Sequence, residues 1–187
     1  MESASQLRMM VYASLFAALT AVGAFIAIPI GPVPIVLQNM FVYMAGLLLG
    51  GRWGLASVGV YLLAGASGLP VFAGGLGGIG RFVGPTGGYL IGYLPTVYLI
   101  GKIAHRTQPR MMTDMLALIF GTLVLYTCGV LWLKIVSGMP LGKTLVLGMY
   151  PFLIGDAIKI AAAAAIAKAL RPVIRVSGSA FRVTSSD

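Results

Sequence analysis

Pro151-Phe-Leu-Ile-Gly-Asp156-Ala-Ile-Lys159-Ile160, followed by Ala161 to Ala165 and then Ile166-Ala-Lys168-Ala-Leu170, has the length and apolar content of a membrane-crossing helix, with an acid and a base near its start. An ionised side chain inside hydrocarbon costs about 2.5–3.5 kcal/mol on insertion scales, so it is rarely there without a partner or a task. Positions i and i+3 share a helix face, so Asp156 and Lys159 are aimed at one place. Two readings follow. The pair is a polar site for a small solute, or it neutralises itself and only fixes helix packing. Ionisable groups at membrane depth are functional-site candidates by default, which favours the first.

Composition sets the surroundings of that helix. Of 187 residues, 59% are hydrophobic and 9% charged, and the mean hydropathy is +0.98. Soluble domains carry about 25% charged residues, so this chain cannot clothe itself for water. The net charge is +9, from 13 Lys and Arg against 4 Asp and Glu. In a soluble protein such an excess would suggest nucleic acid. Here the cations gather at helix ends and in one tail, as the positive-inside rule expects, so membrane lipid and not nucleic acid is the expected surrounding. The one cysteine, Cys128, can make neither an internal disulfide nor a metal site alone. Neither a metal nor a catalytic residue is expected. The first apolar segment is too long for a signal-peptide core and lacks a cleavage site, so it reads as a mature helix.

The apolar runs predict an all-α integral membrane protein, a single membrane domain over 1–187 with six transmembrane helices. They cover about 9–28, 35–49, 53–67, 86–100, 113–136 and 151–170. Pro29 stops the first, and Gly50-Gly51-Arg52 makes a tight turn between the second and third. A glycine-rich stretch fills 68–85, a polar basic one 102–110 and a mixed one 137–150, and a loose basic tail is expected over 173–187. Nine of the 13 Lys and Arg fall on one side: Arg8, Arg52, Lys102, Arg106, Arg110, Lys168, Arg171, Arg175 and Arg182. Only Arg81, Lys134 and Lys143 fall on the other. Both termini are therefore expected in the cytoplasm, in a multi-pass protein of the cell inner (plasma) membrane. That orientation makes polar residues converge. Gln38 and Asn39 follow the outer start of the second span, and Tyr89 follows that of the fourth. Asp156 lies roughly 8 Å below the outer start of the sixth at 1.5 Å per residue. Arg81 is in the loop above. An outward-facing ligand pocket satisfies them all.

Three motif matches carry little. Gly75-Leu-Gly77-Gly-Ile-Gly80 fits G-x-G-x-x-G but has no βαβ unit around it. Gly142-Lys143-Thr144 resembles the end of a P-loop, yet Ser137 stands where the first glycine belongs. Gly65-Ala-Ser67-Gly68 resembles the G-x-S-G of rhomboid intramembrane proteases, but the single histidine, His105, is expected a membrane thickness away. Span one repeats Ala13, Ala17 and Ala21 every four residues, a small-xxx-small pattern that lets two helices approach closely. A self-sufficient secondary carrier, with Asp156 and Lys159 as a proton relay, is the competing class. Such carriers show inverted repeats with broken helices, and no such repeat stands out here.

Gly31-Pro-Val-Pro-Ile-Val-Leu-Gln38, Gly84-Pro-Thr86-Gly-Gly-Tyr89-Leu-Ile-Gly92-Tyr93 and Gly155-Asp156-Ala-Ile-Lys159 together strongly resemble the BioY family, in order and spacing over nearly the whole chain. The resemblance implies a biotin-binding S component of an energy-coupling factor (ECF) vitamin importer, not an enzyme. It implies biotin capture from outside and partnership with a transmembrane T component and two ATPases. The alanine motif that docks on the T component maps onto Ala13, Ala17 and Ala21. Some family members are proposed to work without the other subunits, and a homo-oligomer is left open. Biotin is then the transported ligand, and no cofactor is expected.

The ligand's chemistry suits the residues. A buried ureido group needs both an acceptor and a donor, since an unpaired buried polar group costs about 1–3 kcal/mol. Asp156 is expected to accept from a ureido N–H and Lys159 to donate to the carbonyl or to pair with Asp156. Gln38, Asn39, Thr86 and Tyr89 complete the expected substrate-binding set. Arg81, at the mouth, is a candidate partner for the valerate carboxylate.

Overall fold

The computed structural model describes residues 2–29, 32–106 and 110–179. Gly31, which opens the first quoted stretch, and Arg182 of the expected tail lie outside them. The chain order is α1 (Glu2–Phe25), β1 (Ala27–Ile28), β2 (Ile35–Val36), α2 (Gln38–Ala66), α3 (Gly80–Val83), α4 (Gly87–Arg106), α5 (Met111–Ser137), α6 (Leu141–Gly148) and α7 (Leu153–Ser179). A single 3-10 turn, Tyr150–Phe152, leads into α7. By length and composition, Ala4–Phe25, Gln38–Ala66 and Met111–Ser137 are apolar enough to cross a membrane.

The second and third expected spans form one element with a break. Gly50 has φ 80° and ψ 179° inside α2, a backbone conformation that side-chain-bearing residues rarely adopt. A methyl group built on Gly54 would lie 3.6 Å from both Ala45 O and Gly46 Cα. In an unbroken helix, residues eight or nine apart stand about 12 Å apart along the axis. The chain therefore reverses at Gly50, and the two halves of α2 run side by side. This is the expected tight turn.

Helix α2 packs on α1 and α4, α4 packs on α5, and α7 closes against α2 and α5. The ends of the helices depart from expectation in three places. Helix α1 stops at Phe25, because Ala27–Ile28 pairs antiparallel with Ile35–Val36, in register Ala27↔Val36 and Ile28↔Ile35. Pro29, Pro32 and Pro34 keep that hairpin extended. Helix α4 continues through Lys102 to Arg106, where a polar connection is expected; cations in a last turn oppose the helix dipole favourably. Helix α7 passes through Pro172 and runs to Ser179, where a loose tail is expected from residue 173. The mixed connection over 137–150 contains α6, with Gly138 capping α5 in the left-handed conformation (φ 67°).

The small-residue row of α1 faces inward. Ala13 and Ala17 are buried in the chain's own core, and Ala21 packs partly buried against it. Beside that row Ser14 and Ala18 are exposed, as are Ala4 and Ser5 in the first turn. The row expected as a docking face, Ala13, Ala17 and Ala21, packs against the chain's own bundle, where close helix approach also uses small residues.

Candidate functional site

Helices α2, α4, α5 and α7 and the loop before α3 enclose a cavity with about 590 Å³ of empty space, counting its open mouth. Gln38 and Asn39 enter it from the first turn of α2, Thr86 and Tyr89 from the start of α4, and Asp156 and Lys159 from the first turns of α7. Six of the seven expected substrate-binding residues are therefore brought together. Arg81 is the exception: it stands on α3, half-exposed, and does not line the cavity.

Asp156 is the hub. Its Oδ1 accepts from Asn39 Nδ2 at 2.9 Å and from Lys159 Nζ at 2.9 Å. Its Oδ2 accepts from the Tyr126 hydroxyl at 2.6 Å. Lys159 Nζ also donates to Val36 O at 2.7 Å, which ties β2 to α7. Both charged groups are buried, so each depends on these partners. The functional and packing readings of the pair therefore meet in one geometry: an ion pair whose surroundings are an open cavity.

What the site leaves unpaired defines what it accepts. An ammonium has three donors and a carboxylate about four acceptor positions. Lys159 uses two donors and Asp156 accepts three bonds, so one of each remains. Gln38 Nε2 and Asn39 Oδ1 are buried with no partner among the described residues. The cavity thus offers both donors and acceptors, from a pair whose charges cancel. Its walls are otherwise apolar or aromatic: Phe72, Tyr93, Tyr126 and Phe152, with Leu90 and Leu125. Phe72 is held edge-on between Tyr61 and Phe82, with ring centroids 5.6 Å from each.

Tyr89 differs from expectation. Its hydroxyl donates to Gly148 O, so it braces α4 against α6 and shows the cavity mainly its ring. That ring lies against Gly129, where a side chain would strike it. Thr86 lends its backbone carbonyl to Tyr89 and Leu90 N–H groups, at 3.1 Å each, and so starts α4.

Tyr126 lines the cavity and bonds Asp156 but is absent from the set expected from the sequence. The signal was there: Thr122 and Tyr126 are polar-ended residues four apart, on one face of the apolar α5. A buried tyrosine hydroxyl needs a partner. The next tyrosine inward, Tyr43, accepts from Thr122 Oγ1 at 2.9 Å.

The discounted motifs stay empty. Ser67 Oγ donates to Ala64 O at 2.8 Å beside the cavity-end loop, while His105 packs near Gly50, where α2 reverses. No serine–histidine pair forms between them. Thr144 lies within α6 and donates to Pro140 O, so Gly142-Lys143-Thr144 is helical and not a phosphate loop.

This chain is similar to known proteins over most of its length. A probable biotin transporter of Pyrococcus horikoshii is 43% identical over 158 residues, covering 84% of this chain and 93% of that protein. A biotin transporter of Thermotoga maritima is 39% identical, covering 88% of this chain and 96% of its own length. The crystal structure of the S component for biotin from an ECF-type ABC transporter superposes with a TM-score of 0.85 at 37% identity, over 92% of this chain and 95% of the other. These relatives are transport proteins and not enzymes. The BioY family model matches residues 1–176, so the span that carries Gln38, Tyr89, Asp156 and Lys159 is the span the family shares, and the chain belongs to the BioY family.

Proposed function

We propose that this chain captures biotin at the membrane as the substrate-binding subunit of an ECF-type importer. The observation that carries the reading is the unpaired complement of the cavity. A cyclic urea presents two N–H donors flanking one carbonyl. Asp156 and Asn39 Oδ1 supply acceptors for the former, and Lys159 and Gln38 Nε2 supply donors for the latter. The aromatic walls suit a thioether ring. The similarity to biotin transporters and to a biotin S component supports the same ligand.

In this reading six helical stretches cross the membrane: α1, the two halves of α2, α4, α5 and α7. The cavity opens outward and both chain ends are cytoplasmic, in keeping with nine Lys and Arg on one side against three on the other. Arg81 stays outside the cavity wall and meets the ligand's carboxylate only from the mouth. A T component and two ATPases supply the energy. The face of α1 left for the T component carries Ser14 and Ala18, since Ala13 and Ala17 are already covered.

The test is equilibrium binding of biotin to the purified protein in detergent, beside thiamine and riboflavin. Saturable binding of biotin alone supports the proposal. Equal binding of all three, or of none by a monodisperse protein, overturns it.

A further inference from the structure

A second, open groove lies at the other end of the bundle, where α2 reverses and α4 ends. Arg52 and Trp53 form one wall, Tyr98, Lys102 and Arg106 the other, and Gly101 lies between them. Lys102 is 13 positions from Tyr89 along α4, so the groove stands roughly 20 Å from the cavity. A side chain at Gly101 would strike the backbone of Gly50 and Gly51, so this part of the groove is bare main chain.

Three cations line this groove and no carboxylate does. The chain has only 4 acidic residues to offer. Asp114 is taken by Arg171 and Asp156 by Lys159. Glu2 opens α1, and Asp187 lies outside the described residues. Arg52, Lys102 and Arg106 form no ion pair among the described residues. Lys102 Nζ instead stands 5.8 Å from the centre of the Tyr98 ring. No carboxylate among the described residues meets these three cations, so the groove is open to an anion from outside the chain. Trp53 and Tyr98 say what kind. Indole and phenol rings sit at headgroup depth in membrane proteins, and basic pockets between helix ends take anionic headgroups. A small soluble anion has no use for the rings, whereas a phosphate carrying acyl chains contacts cations and rings together.

We propose that this groove binds the phosphate of an anionic phospholipid, with Arg52, Lys102 and Arg106 on the phosphate and Trp53 and Tyr98 against the glycerol and upper acyl chains. The site is independent of the biotin cavity.

Native mass spectrometry of the purified full chain tests it, with titrations of phosphatidylglycerol, phosphatidylcholine and inorganic phosphate. One phosphatidylglycerol should be retained in preference to phosphatidylcholine. Arg52→Gln with Lys102→Gln should weaken that first association roughly 10- to 30-fold, as each cation near a lipid surface contributes about fivefold. Arg8→Gln with Lys168→Gln removes the same charge elsewhere at that end and should leave it within twofold. Folding of each variant is checked by its elution as a single species and by circular dichroism. Equal weakening in both double variants would reduce the effect to net charge and overturn the site. So would retention of phosphatidylcholine as strong as that of phosphatidylglycerol. Inorganic phosphate displacing the lipid at equal concentration would assign the groove to a free anion and overturn the lipid.

Discussion

Arg171 grips Asp114 with both guanidinium nitrogens, at 2.6 and 2.7 Å, across 57 positions of sequence. The contact joins the first turn of α5 to α7, 15 residues or roughly 22 Å beyond Asp156. Helix α7 is thus held at two levels, at the cavity by the bonds from Asp156 and Lys159 to Asn39, Tyr126 and Val36 O, and farther along by the Asp114–Arg171 ion pair.

Breaking the remote pair should cost stability and spare the site. Removing one partner of a buried pair costs about 3–5 kcal/mol, because the other charge is left stranded. Arg171→Gln is expected to lower the melting temperature by about 6–20 °C for a chain of this size. Biotin affinity, measured well below melting, should change by less than threefold. The exchange Asp114→Arg with Arg171→Asp should recover part of the lost stability. A variant that melts like the parent would remove the pair from the list of stabilising contacts.

Asp156→Asn should weaken biotin binding by about one to two decades, as loss of a charge-assisted hydrogen bond costs about 1.5–3 kcal/mol. Lys159→Met should also impair binding, by leaving Asp156 short of a donor and Val36 O without its partner. If the pair only packs the bundle, the double variant regains full uptake. Uptake assays on both single variants and the double decide between these outcomes.

Tyr126→Phe deletes one hydroxyl and keeps the ring. It removes the 2.6 Å bond to Asp156 Oδ2. The expected loss in biotin affinity is about tenfold, with melting temperature changed by no more than a few degrees. Unchanged affinity by isothermal titration would show that Asn39 and Lys159 alone fix the carboxylate.

The two faces of α1 should respond in opposite ways. Ala13→Leu or Ala17→Leu inserts bulk into a filled core and should cost about 1–3 kcal/mol, seen as lower yield and melting temperature. Ser14→Leu and Ala18→Leu point outward and should leave biotin binding intact. Co-purification with a T component and ATPases should fall with the second pair. Normal assembly of those variants would move the docking surface off α1.

The site was legible because membrane depth makes polarity informative. Gln38, Asn39, Thr86, Tyr89, Asp156 and Lys159 are polar groups near helix starts in an apolar chain, and they do converge. Tyr126 was passed over because one hydroxyl in the middle of α5 barely alters its hydropathy. The Asp114–Arg171 clasp was hidden for another reason: each residue alone is an ordinary charge at a helix end, and only the fold sets them together. The alanine row was seen, but spacing shows that a helix is approached closely and not by which neighbour. Helix lengths were underestimated at α4 and α7, since Lys and Arg are good helix formers and extend long side chains toward water.

The bond from Lys159 to Val36 O gives the short hairpin an unusual anchor. The strand is fastened to the bundle by the very ammonium that lines the ligand cavity. Any occupant that draws on that ammonium changes the tension on the fastening. Deuterium uptake at the Ala27–Ile28 and Ile35–Val36 amides then becomes a label-free gauge of whether the cavity is filled.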